Sequence, residues 1–170
     1  ELEDKMPEYI GQDDRFSCGP VAIFNAIRWS GHGYIIREYL NIISIHCRCM
    51  PPNGTLYVNF DRALRSFSKG KFKVKRRIRP GVDSIEEHLR RPDSAVIIND
   101  LRIIDNEDRG HYYLITEVSK SGKTFIGINL YKRAVSVIFR RTTLEYRFEA
   151  QGDKKGATYP TAWFLTKSRL

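Results

Sequence analysis

The stretch Gly11-Gln12-Asp13-Asp14-Arg15-Phe16-Ser17-Cys18-Gly19-Pro20-Val21-Ala22-Ile23-Phe24-Asn25-Ala26-Ile27-Arg28-Trp29 decides how the chain reads. A polar loop meets an apolar helix at one cysteine. Val21, Ala22, Ile23, Phe24, Ala26 and Ile27 make the helix apolar nearly all round, the pattern of a buried central element. It is expected to begin near Ser17 or Cys18 and to run to Trp29. Pro20 suits the first turn, where its missing N–H costs little. A thiol at that turn faces the positive end of the helix dipole and unpaired backbone N–H groups, and both favour the thiolate.

Working outward, the remaining helices precede most of the strands, with no linker rich in Pro and Ser and no internal repeat. That order predicts a single α+β domain over 1–170, with N-terminal helices (about 17–68) packed on a C-terminal antiparallel sheet (about 71–170). A second helix is expected from about Ile35 to Ile45. A third follows Gly54-Thr55, with Thr55 as cap and Leu56, Phe60, Leu64 and Phe67 on one face. Lysines alternate with apolar residues in Lys71-Phe72-Lys73-Val74-Lys75, as in a half-buried edge strand. Asp83 or Ser84 is expected to cap a short helix, "DSIEEHLRR". "SAVIIND", "HYYLITEV", "TFIGINL", "AVSVIF" and "TAWFLTK" read as strands, the last closing the sheet, and "RRTTLEYRFE" as a short helix capped by Thr142 or Thr143. Ser119 to Lys123 forms the turn of a hairpin, with Gly122 supplying the unusual backbone angle.

At 170 residues and 19.8 kDa, one domain can bury roughly two-thirds of its unfolded surface. No apolar run approaches the roughly 20 residues of a membrane-spanning helix. The three cysteines, Cys18, Cys47 and Cys49, form an odd count, which points to a reducing compartment and a cytoplasmic location. The absence of an initiating Met leaves open a segment removed ahead of Glu1. A net charge of +9, concentrated in Lys69 to Arg77 and around Arg140-Arg141 and Lys154-Lys155, favours acidic partners. A solvated surface is preferred there over a nucleic-acid site.

A thiolate nucleophile needs an acid and base within reach. Of His32, His46, His88 and His111, the last is best placed: it opens an apolar strand after the polar loop Asp105 to Gly110, with a flexible Gly110 before it. His32 is expected to cap the first helix at its C-terminal end. Asn129 lies eighteen residues after His111, where the returning strand of the hairpin comes back beside it. Its side-chain oxygen is expected to orient the imidazole. Gln12 lies six residues before Cys18 and can curl back so that its amide, with the Cys18 backbone N–H, faces an oxyanion. Gly19 is expected to leave room for substrate. The cluster His46-Cys47-Arg48-Cys49 lacks a second ligand pair, so neither zinc nor any other cofactor is expected. Trp163 reads as core, and the acidic loop beside His111 as solvated.

Taken in order, Gln12, then Cys18-Gly19-Pro20 opening a helix, then Gly110-His111-Tyr112-Tyr113 opening a strand, then Asn129, resemble the papain-like cysteine peptidases. Within them the chain is most similar to the bacteriocin-processing peptidases that cut after double-glycine leaders. The resemblance implies a papain-like fold and cleavage of a polypeptide substrate, with Cys18 as nucleophile and His111 as general base and then acid. It also implies Asn129 as the group orienting His111, Gln12 in the oxyanion hole and Gly19 and Gly110 near the substrate. Where that branch has Asp followed by Pro, this chain has Asn129-Leu130, and it carries no transporter segments. Two alternatives stay open: a peptidase-like module that binds peptide or nucleic acid through its cleft or basic face, and a thiol acyltransferase or deamidase using the same Cys and His. Substrate specificity and oligomeric state are not encoded in any motif.

Overall fold

The computed structural model describes residues 8–32, 37–51, 54–104, 107–131, 134–152 and 160–168. The apolar helix is α1, Cys18–Trp29, and every residue in it except Arg28 is buried. Ser17 stands at its N-cap without a side-chain bond, and the loop before it is held by Asp14, whose Oδ1 accepts from the N–H groups of Phe16 (2.9 Å) and Ser17 (2.7 Å). Ser30 forms its C-cap, and His32 meets the Ser30 hydroxyl at 3.0 Å, so His32 is not itself the cap. Helix α2 spans Tyr39–His46, starting later than expected, and the predicted opening at Ile35 and Ile36 lies outside the described residues. Helix α3 spans Tyr57–Ser68 and has Leu56, not Thr55, at its N-cap, without a side-chain bond.

The sheet begins with β1, Phe72–Ile78, and then α4, Val82–Leu89, intervenes. Neither Asp83 nor Ser84 caps α4; Gly81 occupies that position, and the Ser84 hydroxyl donates to its carbonyl at 2.7 Å. Strands β2 (Ser94–Ile104), β3 (Glu107–Val118), β4 (Thr124–Tyr131) and β5 (Ala134–Arg140) follow, then α5 (Arg141–Gly152) and β6 (Thr161–Lys167). The order across the six-stranded sheet is β1-β6-β2-β3-β4-β5, antiparallel at every pairing. Strand β6 therefore runs through the interior, between β1 and β2, and does not close an edge. Gly122 at φ 70° makes the expected β3–β4 turn.

Alternation along the strands gives the sheet two covered faces. Ala95, Ile97, Tyr112, Leu114, Trp163 and Leu165 pack against α1, α2 and α3. Val96, Ile98, Tyr113, Ile115 and Phe164 face the other way, into a cluster with Val82, Ile85 and Leu89 of α4 and Leu144 of α5. Trp163 is fully buried and donates through Nε1 to Asp61 at 2.8 Å, which confirms it as core. The helical layer expected at the N-terminus is present, and the later helices add a second layer behind the sheet. The expected helix from Arg140 thus starts at Arg141, whose guanidinium meets Glu145 (2.7 Å), Glu86 (2.5 Å) and Asp83.

Candidate active site

Asn25, buried within α1, fixes the chain that leads into the site. It accepts from Ile10 N–H and donates to the Ile10 carbonyl, both at 2.9 Å. Two residues later, Gln12 is locked by Asn129: Gln12 N–H donates to Asn129 Oδ1 at 3.1 Å, and Asn129 Nδ2 donates to Gln12 Oε1 at 3.0 Å. Gln12 Nε2 donates one hydrogen to the Asp14 carbonyl at 2.7 Å, leaving the second N–H for another acceptor. Residues 117 apart in sequence are thereby clamped face to face.

Asn129 has φ 62°, a left-handed backbone that Asn tolerates better than most residues, and the β4–β5 register breaks there. The kink changes its predicted role. His111 Nε2 lies 2.6 Å from the Asn129 backbone carbonyl, not from its side-chain oxygen, which is committed to Gln12. A carbonyl only accepts, so Nε2 carries the proton, and Nδ1 of the neutral ring holds the basic lone pair. Asn129 therefore orients two groups at once, the imidazole through its carbonyl and Gln12 through its amide.

The Cys18 thiol packs against the backbone N–H of Tyr112, the residue after His111, and against the N–H groups of Gly19 and of Cys18 itself. Pro20 follows with no N–H, and Val21 already bonds to the Ser17 carbonyl at 3.0 Å. The amides at the helix start thus point at sulfur because nothing in α1 accepts them. Their pull is outweighed. Burial pushes the thiol up to about 11, and the neighbouring Cys49 adds to the shift, while the three amides act in the opposite direction. The pull toward the thiolate expected at the helix start is present in these amides, and burial offsets it.

Gln12, Cys18, His111 and Asn129 are all buried. Gly19 is buried too, and a Cβ there would come within 2.9 Å of the Thr55 side chain, so its bareness allows close packing on Thr55. Gly110 is exposed in β3, where a Cβ would approach Asn99 Oδ1 at 3.1 Å. A cleft of ≈ 280 Å³ is lined by Gln12, Asp14, Phe16, Ser17, Asn41 and Cys49, among others, but not by Cys18, His111 or Asn129.

The other motif residues take structural places. Cys47 sits in the core with its thiol pushed up to about 12 by burial, and Cys49 donates to the Phe16 carbonyl at 3.2 Å. His88 Nε2 meets the Leu165 carbonyl at 2.8 Å, and His46 packs edge-on to Phe67. Lys154 and Lys155 lie outside the described residues, as do Asp105 and Asn106 of the acidic loop. Among the described residues, no helix is long and apolar enough to cross a membrane. Sequence reading missed Asp14, whose carboxylate holds the loop before Cys18. It also missed Tyr112, whose hydroxyl donates to the Thr55 carbonyl at 3.1 Å and ties β3 to the entrance of α3.

No family model and no curated sequence matches the chain. Among solved structures, a crystal structure from Bacillus anthracis, described as a "putative C39-like peptidase", matches with a TM-score of 0.60 at 10% identity. The match covers 96% of this chain and 96% of that one. The α+β architecture described above is therefore the fold of that C39-like peptidase, shared from end to end.

Proposed function

We propose that the protein is a cysteine peptidase in which Cys18 is the nucleophile, His111 the base and Gln12 the oxyanion donor. One observation carries this reading: the hydrogen-bonded chain Gln12–Asn129–His111 converges with the thiol at neighbouring residues of one strand, His111 and Tyr112. Nδ1 of His111 takes the proton of Cys18 as sulfur forms its bond to the substrate carbonyl carbon, and the carbonyl oxygen becomes an oxyanion. The second Nε2 hydrogen of Gln12 and the Cys18 N–H are the donors for that charge. His111 then returns its proton to the leaving amine as the C–N bond breaks. Water, deprotonated by His111, attacks the thioester and releases the acid and the thiol.

The substrate is a polypeptide, and the cleft that Gln12 and Asp14 line is where it would extend from the site. Incubation with a peptide library followed by intact-mass measurement tests the reading: a covalent acyl adduct on Cys18 is expected, with no adduct in Cys18→Ala. Amine release without any cysteine adduct would contradict it.

A further inference from the structure

Behind His111, on the face of the sheet turned away from α1, stands a buried charged cluster that the reaction steps above leave unused. Asp100 of β2 is fully buried and lies directly opposite His111 in the β2–β3 ladder. Residues so paired have Cβ atoms about 4.5–5.5 Å apart. Tyr113, two residues along β3, stacks its ring on the imidazole at 5.9 Å and 21°, and its hydroxyl donates to Asp100 Oδ2 at 2.7 Å. Arg147 comes across from α5: Nη1 donates to Asp100 Oδ1 at 3.3 Å, and the guanidinium lies 5.5 Å from the Tyr113 ring centre.

We propose that Asp100 and Arg147 set the strength of His111 as a base, Asp100 stabilising the imidazolium formed when Cys18 gives up its proton and Arg147 opposing it. The hydrogen-bonded partner supplied by β4 is neutral, the Asn129 carbonyl. The carboxylate that a neutral thiol needs behind its base is supplied by β2. The low dielectric of a fully buried site makes this electrostatic coupling strong. The imidazole stacks on Tyr113 from β3, bonds to the Asn129 carbonyl from β4 and is paired in register with Asp100 from β2, which Arg147 from α5 meets. Cys18 of α1 approaches through the Tyr112 amide. Asp100 and Arg147 are positioning residues: they act through His111 and touch no reacting atom.

This inference rests on His111 being the base for Cys18, and the experiment separates the two. The rate of Cys18 alkylation by chloroacetamide is followed against pH by peptide mass spectrometry. In the native protein it rises through an inflection that His111→Ala removes. Asp100→Asn, which keeps the Tyr113 contact but loses the charge, moves the inflection to lower pH by about one unit, the lower end of what a charge at this range does. Arg147→Met moves it to higher pH. If Asp100→Asn does not fold, Arg147→Met decides alone. An inflection that stays in place or falls in that variant, or equal displacement in both, overturns the inference and reduces the cluster to a structural ion pair. An inflection that survives His111→Ala overturns the reading on which it rests.

Discussion

The two faces of the sheet differ in what they do to a charge. Under α1, α2 and α3 the buried residues are almost all apolar, and the thiol that enters there is pushed up to about 11. Behind the sheet a full carboxylate is buried beside a guanidinium and a tyrosine hydroxyl. The candidate nucleophile opens α1 on the apolar side, and the candidate base is paired in register with the buried carboxylate. Strand β3 joins them: the Cys18 thiol meets the Tyr112 backbone N–H, and the neighbouring His111 stacks on Tyr113.

The largest effect that would break this comparison is expected at the link between the two faces. Gln12→Ala removes an oxyanion donor, and acylation should fall about 10²–10³-fold. Asn129→Gly tolerates φ 62° and deletes only the amide, so it should lose acylation through a loosened Gln12 and yet leave the alkylation inflection in place, because His111 rests on the backbone carbonyl. A moved inflection in Asn129→Gly would show that the side chain, and not the carbonyl, orients the ring.

A smaller effect sharpens the apolar side. Gly19→Ala forces a Cβ against Thr55 at 2.9 Å and should cost about 1–3 kcal/mol in urea unfolding. Thr55→Gly in the same chain should recover much of it, since the two sites touch. Full stability in Gly19→Ala alone would mean that Thr55 yields freely.

The smallest effect is on stability at high pH. Cys18 and Cys47, at about 11 and about 12, both lie above the ordinary 9.0, so the unfolded chain loses these protons first. Their contribution is complete below pH 9 and disappears as pH climbs through the folded values. Tm should therefore decline by several degrees between pH 9 and 11, at roughly 2–4 °C per kcal/mol for a chain of this size. Cys47→Ala should flatten the decline, and an unchanged slope would place its source elsewhere.

Much of this was legible from local pattern. Helix α1 announced itself by its apolar run and Pro20, and the β3–β4 hairpin by Gly122, which brought Asn129 beside His111. Position across the sheet was not legible: no local signal places β6, with the core residue Trp163, between β1 and β2. The Asp100–Arg147 pair was invisible for the same reason, being 47 residues apart in sequence. The N–H groups at the start of α1 are visible in sequence, and the depth of burial that opposes them at Cys18 is not. The place of Asn129 beside His111 follows from the hairpin, while the positive φ that turns its amide toward Gln12 and its carbonyl toward His111 has no local signal.

The central claim is that His111 activates a buried, neutral Cys18, and comparative alkylation of the three cysteines at neutral pH tests it most directly. The account predicts that Cys18 reacts faster than the equally buried Cys47, and that His111→Ala erases the difference. Equal rates at Cys18 and Cys47 in the native protein, or an advantage that persists in His111→Ala, would contradict it.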